Sequence, residues 1–120
     1  MIFVSSNCRG FDNKLKEDAV KDIIRMTNPE ILLLQESKLE DIDLLKAGKV
    51  FWKRGQGTTV SARGASGELG TFWDISKYDM LEVEKCTHLI FTKILHKESR
   101  LQVSLFNLYV PVHLSEKRDC

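Results

Sequence analysis

The stretch Ile31-Leu32-Leu33-Leu34-Gln35-Glu36 decides the fold. Four consecutive aliphatic residues fit a strand buried on both faces, as in sheets covered by helices. A carboxamide and a carboxylate follow at once. In sheets of parallel strands, ligand sites form just past the carboxyl ends. Glu36 therefore stands where such a site would place a metal-binding carboxylate. Upstream, Ile2-Phe3-Val4-Ser5-Ser6 reads as another buried strand, and it ends on Asn7.

Between these two segments, residues 13–27 read as an amphipathic helix. Leu15, Ala19, Val20, Ile23, Ile24 and Met26 fall mainly on one face, opposite a largely charged one. Asn28-Pro29 ends it, because the residue before proline is pushed out of the helical region. The order strand, helix, strand is a β-α-β unit. With the two strands parallel, Asn7 and Glu36 emerge at the same sheet edge.

After residue 47 the pattern changes to antiparallel strands. Val50 to Arg54 is a candidate strand. Residues 55–67, with Gly55, Gly57, Gly64 and Gly67, read as a loop holding a weak strand. Leu69–Trp73 and Tyr78–Val83 follow. His88–Leu95 and Leu101–Leu108 flank the polar turn 96–100 and form a hairpin.

Length and composition suit one domain, 1–120, and an apolar content of 42% is enough for a core. A net charge of +1 gives no global attraction to nucleic acid, so any phosphate would be held by a local site. No apolar run is long enough for a membrane helix, and no signal peptide is visible. Three widely spaced cysteines, Cys8, Cys86 and Cys120, do not suggest a disulfide framework, and an intracellular, reducing compartment is the expectation.

Three residues are candidates for chemistry, each with a blander reading beside it. Glu36 is a metal ligand or a solvated strand end; magnesium often takes only one or two protein carboxylates. Asn7 orients a water, a carboxylate or a phosphate oxygen, or is simply a turn residue in Asn-Cys-Arg-Gly. Tyr109, in Asn107-Leu108-Tyr109-Val110-Pro111, hydrogen-bonds a phosphate or covers a sheet edge. Gly64-Ala65-Ser66-Gly67-Glu68 is neither a nucleophile elbow nor a phosphate-binding loop. Cys86-Thr87-His88 has too few ligands for zinc. His96 and His113 are read as solvated.

Taken in order, Ser6-Asn7-Cys8-Arg9-Gly10, Leu34-Gln35-Glu36-Ser37-Lys38 and Asn107-Leu108-Tyr109-Val110-Pro111 resemble the endonuclease/exonuclease/phosphatase superfamily. The wording Asn-Cys-Arg-Gly is similar to the endonuclease domains of plant LINE-type retrotransposons. The resemblance implies an α/β fold: the N-terminal half of a four-layer α/β sandwich with mixed sheets, an incomplete domain supplying mostly one sheet and part of the other. It implies Mg²⁺ or Mn²⁺ on Glu36, a hydrogen-bonding role for Asn7, a phosphate contact for Tyr109, DNA as partner and the nucleus as a location. A lipid or inositol phosphate phosphatase, a non-catalytic interaction module and an unrelated α/β domain are the alternatives. The family's later Gly-Asp-Phe-Asn and Asp-His segments are absent from this sequence. A phosphodiesterase fragment inactive alone is therefore expected. Val112 replaces a frequent Asn, and Glu68 stands where this branch reads glycine in a turn. The incomplete sandwich implies exposed sheet edges and self-association.

Overall fold

The computed structural model describes residues 2–7, 13–35, 55–61, 68–86 and 88–108. Among these, β1 (Phe3–Asn7), α1 (Asn13–Thr27) and β2 (Ile31–Gln35) form the first unit. β3 (Gly55–Ser61), β4 (Glu68–Asp74), β5 (Tyr78–Cys86), β6 (Leu89–His96) and β7 (Gln102–Leu108) follow. The expected strand at 50–54 lies outside the described residues.

α1 ends as its sequence requires. Asn28 adopts φ 46°, a left-handed conformation that asparagine tolerates, and its N–H bonds back to Ile24 O at 2.9 Å. Pro29 follows and is buried. Met26, assigned to the apolar face, is exposed, while Ile23 and Ile24 are half-buried.

Two sheets result. The first has the order β1-β2-β4-β3, with β1 parallel to β2 and the other pairs antiparallel. The second is the meander β5-β6-β7. They pack face to face around Ile31, Trp73, Tyr78, Ile94 and Leu105, with Leu33 and Val103 at the margin. Because side chains alternate across a strand, Ile31, Leu33 and Gln35 share this inner face. Their register partners Phe3 and Ser5 share it too. Both sheets are thus represented, rather than chiefly one.

Three local expectations are corrected and one is sharpened. The weak strand expected inside the 55–67 loop is a seven-residue strand at 55–61, paired along its length with β4. Gly57 is there for space: a Cβ would run into the Phe72 ring. Glu68 opens β4 opposite Ser61, and the non-glycine residues with positive φ among those described are Asn28 and Arg100, so Glu68 blocks no left-handed turn. β1 is not buried: Phe3 is 47% exposed, because β7 packs over β2 and β4 and leaves β1 overhanging. Cys86 is disulfide-bonded, against the expectation of free thiols; its partner lies outside the described residues. No helix among the described residues is long and apolar enough to cross a membrane.

Candidate functional site

The parallel register of β1 and β2 pairs Asn7 with Gln35. Both strands therefore finish level, at one edge of the sheet. The backbone of Asn7 is fixed there as the last residue of β1. Glu36, the residue after Gln35, and Tyr109, the residue after Leu108 of β7, lie outside the described residues.

The described centre of this edge is a residue that the sequence did not mark for a role. Asn107 is 1% exposed and reaches from the second sheet into the first. Its Nδ2 donates to Gly70 O at 2.9 Å, to Thr71 Oγ1 at 3.2 Å and to Leu34 O at 3.3 Å. Its Oδ1 accepts from Gln35 Nε2 at 3.0 Å, and that nitrogen also lies 3.0 Å from Ser5 Oγ. One carboxamide thus ties β7 to β2 and β4, and through Gln35 to β1. A buried amide must satisfy both its ends, and this one does so by spanning the sheets. The only sequence signal was its position, two residues before Tyr109 at a strand end.

Each of these groups is neutral. Among the described residues no group of three His, Cys, Asp or Glu is placed to hold a metal. The described side chains at this edge are neutral donors and acceptors, and they do not form a metal centre by themselves.

At the other end of β2 the polar ties are charged. Tyr78 Oη donates to Glu30 Oε1 at 2.9 Å, and Lys77 Nζ lies 3.3 Å from Glu30 Oε2. Burial pushes the Glu30 carboxyl up, but the bonds from Tyr78 and Lys77 outweigh it and hold it below the usual carboxylate value. Burial, then the Glu30 bond and charge, push the Tyr78 phenol up. His96, expected to be solvated, is half-buried, with its ring 5.1 Å from that of Tyr78 and its Nδ1 2.7 Å from Ser99 Oγ. A shallow cleft lined by Glu30, Lys77, His96 and Lys97 opens here, at the wrong end of the strands for the expected chemistry.

Similarity to solved structures follows this geometry. An endonuclease/exonuclease/phosphatase family protein from Bacteroides thetaiotaomicron superposes with a TM-score of 0.75 at 14% identity, over 96% of this chain and 52% of the other. The chain has the endonuclease/exonuclease/phosphatase fold. A mannosyl-6-phosphatase of the same bacterium matches with a TM-score of 0.70 at 13% identity, over 88% of this chain and 50% of the other. An AP endonuclease from Leishmania major matches at 0.66 and 16% identity, over 97% and 42%. The chain spans about half the length of these endonuclease/exonuclease/phosphatase structures. No protein-family model and no curated protein matches the sequence.

Proposed function

We propose that this chain carries the first half of a divalent-metal-dependent phosphodiesterase of retroelement endonuclease type, acting on DNA inside the cell, in the nucleus, and inactive or nearly so alone. The observation that carries the reading is the level finish of β1 and β2, which puts Asn7 alongside Gln35, one residue before Glu36. In this reading Glu36 holds Mg²⁺ or Mn²⁺, Asn7 supports the hydrogen-bond network and Tyr109 contacts the phosphate. When bound, the metal neutralises charge on the phosphate and on the leaving oxygen. The chain's own contribution is positional: Asn107 and Gln35 hold the end of β2, and so the backbone from which Glu36 departs. The motifs expected to orient and deprotonate the attacking water, Gly-Asp-Phe-Asn and Asp-His, are not in the sequence.

The similar structures include both an AP endonuclease and a mannosyl-6-phosphatase. The second supports another reading, a phosphatase acting on a lipid or inositol phosphate. Three measurements test the proposal. Titration with Mn²⁺, followed by electron paramagnetic resonance, is expected to show weak binding that Glu36→Gln removes; binding unchanged in that variant overturns the site. Plasmid DNA with Mg²⁺ is expected to stay uncut. Robust nicking that Glu36→Ala abolishes overturns the inactivity, and phosphate release from an inositol phosphate instead of nicking overturns the choice of DNA.

A further inference from the structure

Cys86 ends β5 at the level where β7 finishes, since its register partner Leu89 pairs in turn with Leu108. Its neighbour Lys85 faces the first sheet, because Lys85 Nζ donates to Thr59 O of β3 at 3.1 Å. Side chains alternate along a strand, so Cys86 faces the opposite way, onto the outer surface of the second sheet. There it is bonded to another cysteine. The sequence offers two, Cys8 and Cys120.

Geometry excludes Cys8. That residue directly follows Asn7, so its Cα lies about 3.8 Å from the end of β1. β1 is the far edge of the first sheet, three strand spacings from β3, which is about 14 Å. Cys86 stands on the β3 side, where Lys85 bonds Thr59, and in the other sheet, about 10 Å away face to face. A disulfide needs its two Cα atoms within about 7 Å. The Cys86 side chain also points away from the sheet that holds β1. Cys120 meets no such limit. Leu108 is two strand spacings from Cys86, about 10 Å, and residues 109–120 can span up to about 40 Å.

We propose that Cys86 and Cys120 form a redox-sensitive clasp, which anchors at both ends the segment that carries Tyr109. One anchor is Leu108 in β7 and the other is Cys86 in β5, level with it on the same sheet. Closing residues 87–119 into a loop restricts the conformations open to that segment. Reduction releases it. A dithiol supplies two electrons and two protons, the S–S bond breaks to two thiols, and the dithiol leaves as a cyclic disulfide. In a reducing compartment the open form prevails and oxidation closes the clasp, the usual behaviour of a redox-sensing disulfide. The pairing is independent of the metal and of DNA. Its bearing on a phosphate contact rests on the role proposed above for Tyr109.

Peptide mapping of the full chain tests the pairing. The protein is equilibrated with glutathione disulfide, blocked with N-ethylmaleimide and cut with trypsin. The Cys86 peptide is expected to be linked to the Cys120 peptide, with Cys8 in neither. A link from Cys86 to Cys8, or any other state of Cys86, overturns the pairing. The melting temperature is a second readout. Dithiothreitol is expected to lower it by several degrees in wild type and in Cys8→Ser, and to leave Cys120→Ser unchanged. A shift that persists in Cys120→Ser overturns the pairing. Hydrogen exchange reads the clasp itself. Amides of residues 109–119 are expected to exchange faster in dithiothreitol while those of β1 do not. No change, or a change shared equally by β1, overturns the redox device, whatever the outcome with Mn²⁺ or DNA.

Discussion

The two ends of β2 are fastened to the second sheet by different chemistry. At the amino end the tie is ionic: Glu30 accepts from Tyr78 and faces Lys77. At the carboxyl end it is neutral: Asn107 bridges the main chains of β2 and β4 and the side chain of Gln35. An ionic tie depends on pH and salt. A saturated carboxamide depends on neither, and it adds no charge at the edge where the proposed function places a cation. The end that is expected to do chemistry is thus held by the tie that does not compete electrostatically with it.

That contrast can be broken by substitution. Asn107→Ala should have the largest effect, a loss of about 3 kcal/mol in denaturant unfolding, because it leaves buried carbonyls unsatisfied and opens a cavity. A loss below about 1 kcal/mol would mean that water replaces the bridge and that the neutral tie is not structural. Tyr78→Phe should cost about 1–2 kcal/mol, the hydroxyl being buried and its carboxylate partner losing a donor. An equal or greater loss than in Asn107→Ala would reverse the ranking of the two ends.

The smallest effect sharpens the comparison through pH. The Glu30 carboxyl is held below its ordinary value of 4.5 in the fold. A depressed carboxylate stabilises fully above its unfolded pKa, and that stability fades as pH falls through the folded one. Glu30→Gln should therefore lower the melting temperature at neutral pH and cease to differ from wild type in strong acid. Gln35→Ala, at the neutral end, should show a pH-independent difference over the same range. A Gln35→Ala effect that also vanishes in acid would place an ionised group in the neutral network.

Periodicity made α1, β2 and the β6–β7 hairpin legible, since their patterns follow from the residues themselves. The parallel approach of β1 and β2 was legible as well, because a helical crossover between two short apolar strands permits it. The exposure of β1 was not: an apolar strand is buried only if something lies over it, and β7 is displaced toward β4. The strand at 55–61 was legible only as a weak one because glycine reads as a turn former, whereas Gly57 is required by the Phe72 ring. His96 was read as solvated since nothing in its neighbourhood in sequence announces Tyr78. Asn107 stood inside a quoted motif, but a carboxamide that spans two sheets has the same letter as one that caps a turn. Of the candidate site, Asn7 takes its expected place in the backbone, and Glu36 and Tyr109 fall outside the described residues.

The separate connectivity of the two sheets has a kinetic consequence. Among the described residues β5, β6 and β7 pair with neighbours in sequence, and the turn that closes β6–β7 is short, with Arg100 N bonded to His96 O. The first sheet must instead join Leu34 to Gly70 across a long intervening segment before β2 gains its second neighbour. Loop closure of that length costs entropy before any contact repays it. The meander is therefore the expected first structure during refolding, with the β2–β4 junction formed on it as a template. Pulse-labelled hydrogen exchange would register this as β6–β7 amides protected ahead of those of β2, and simultaneous protection would show instead that Asn107 docks both sheets in a single step.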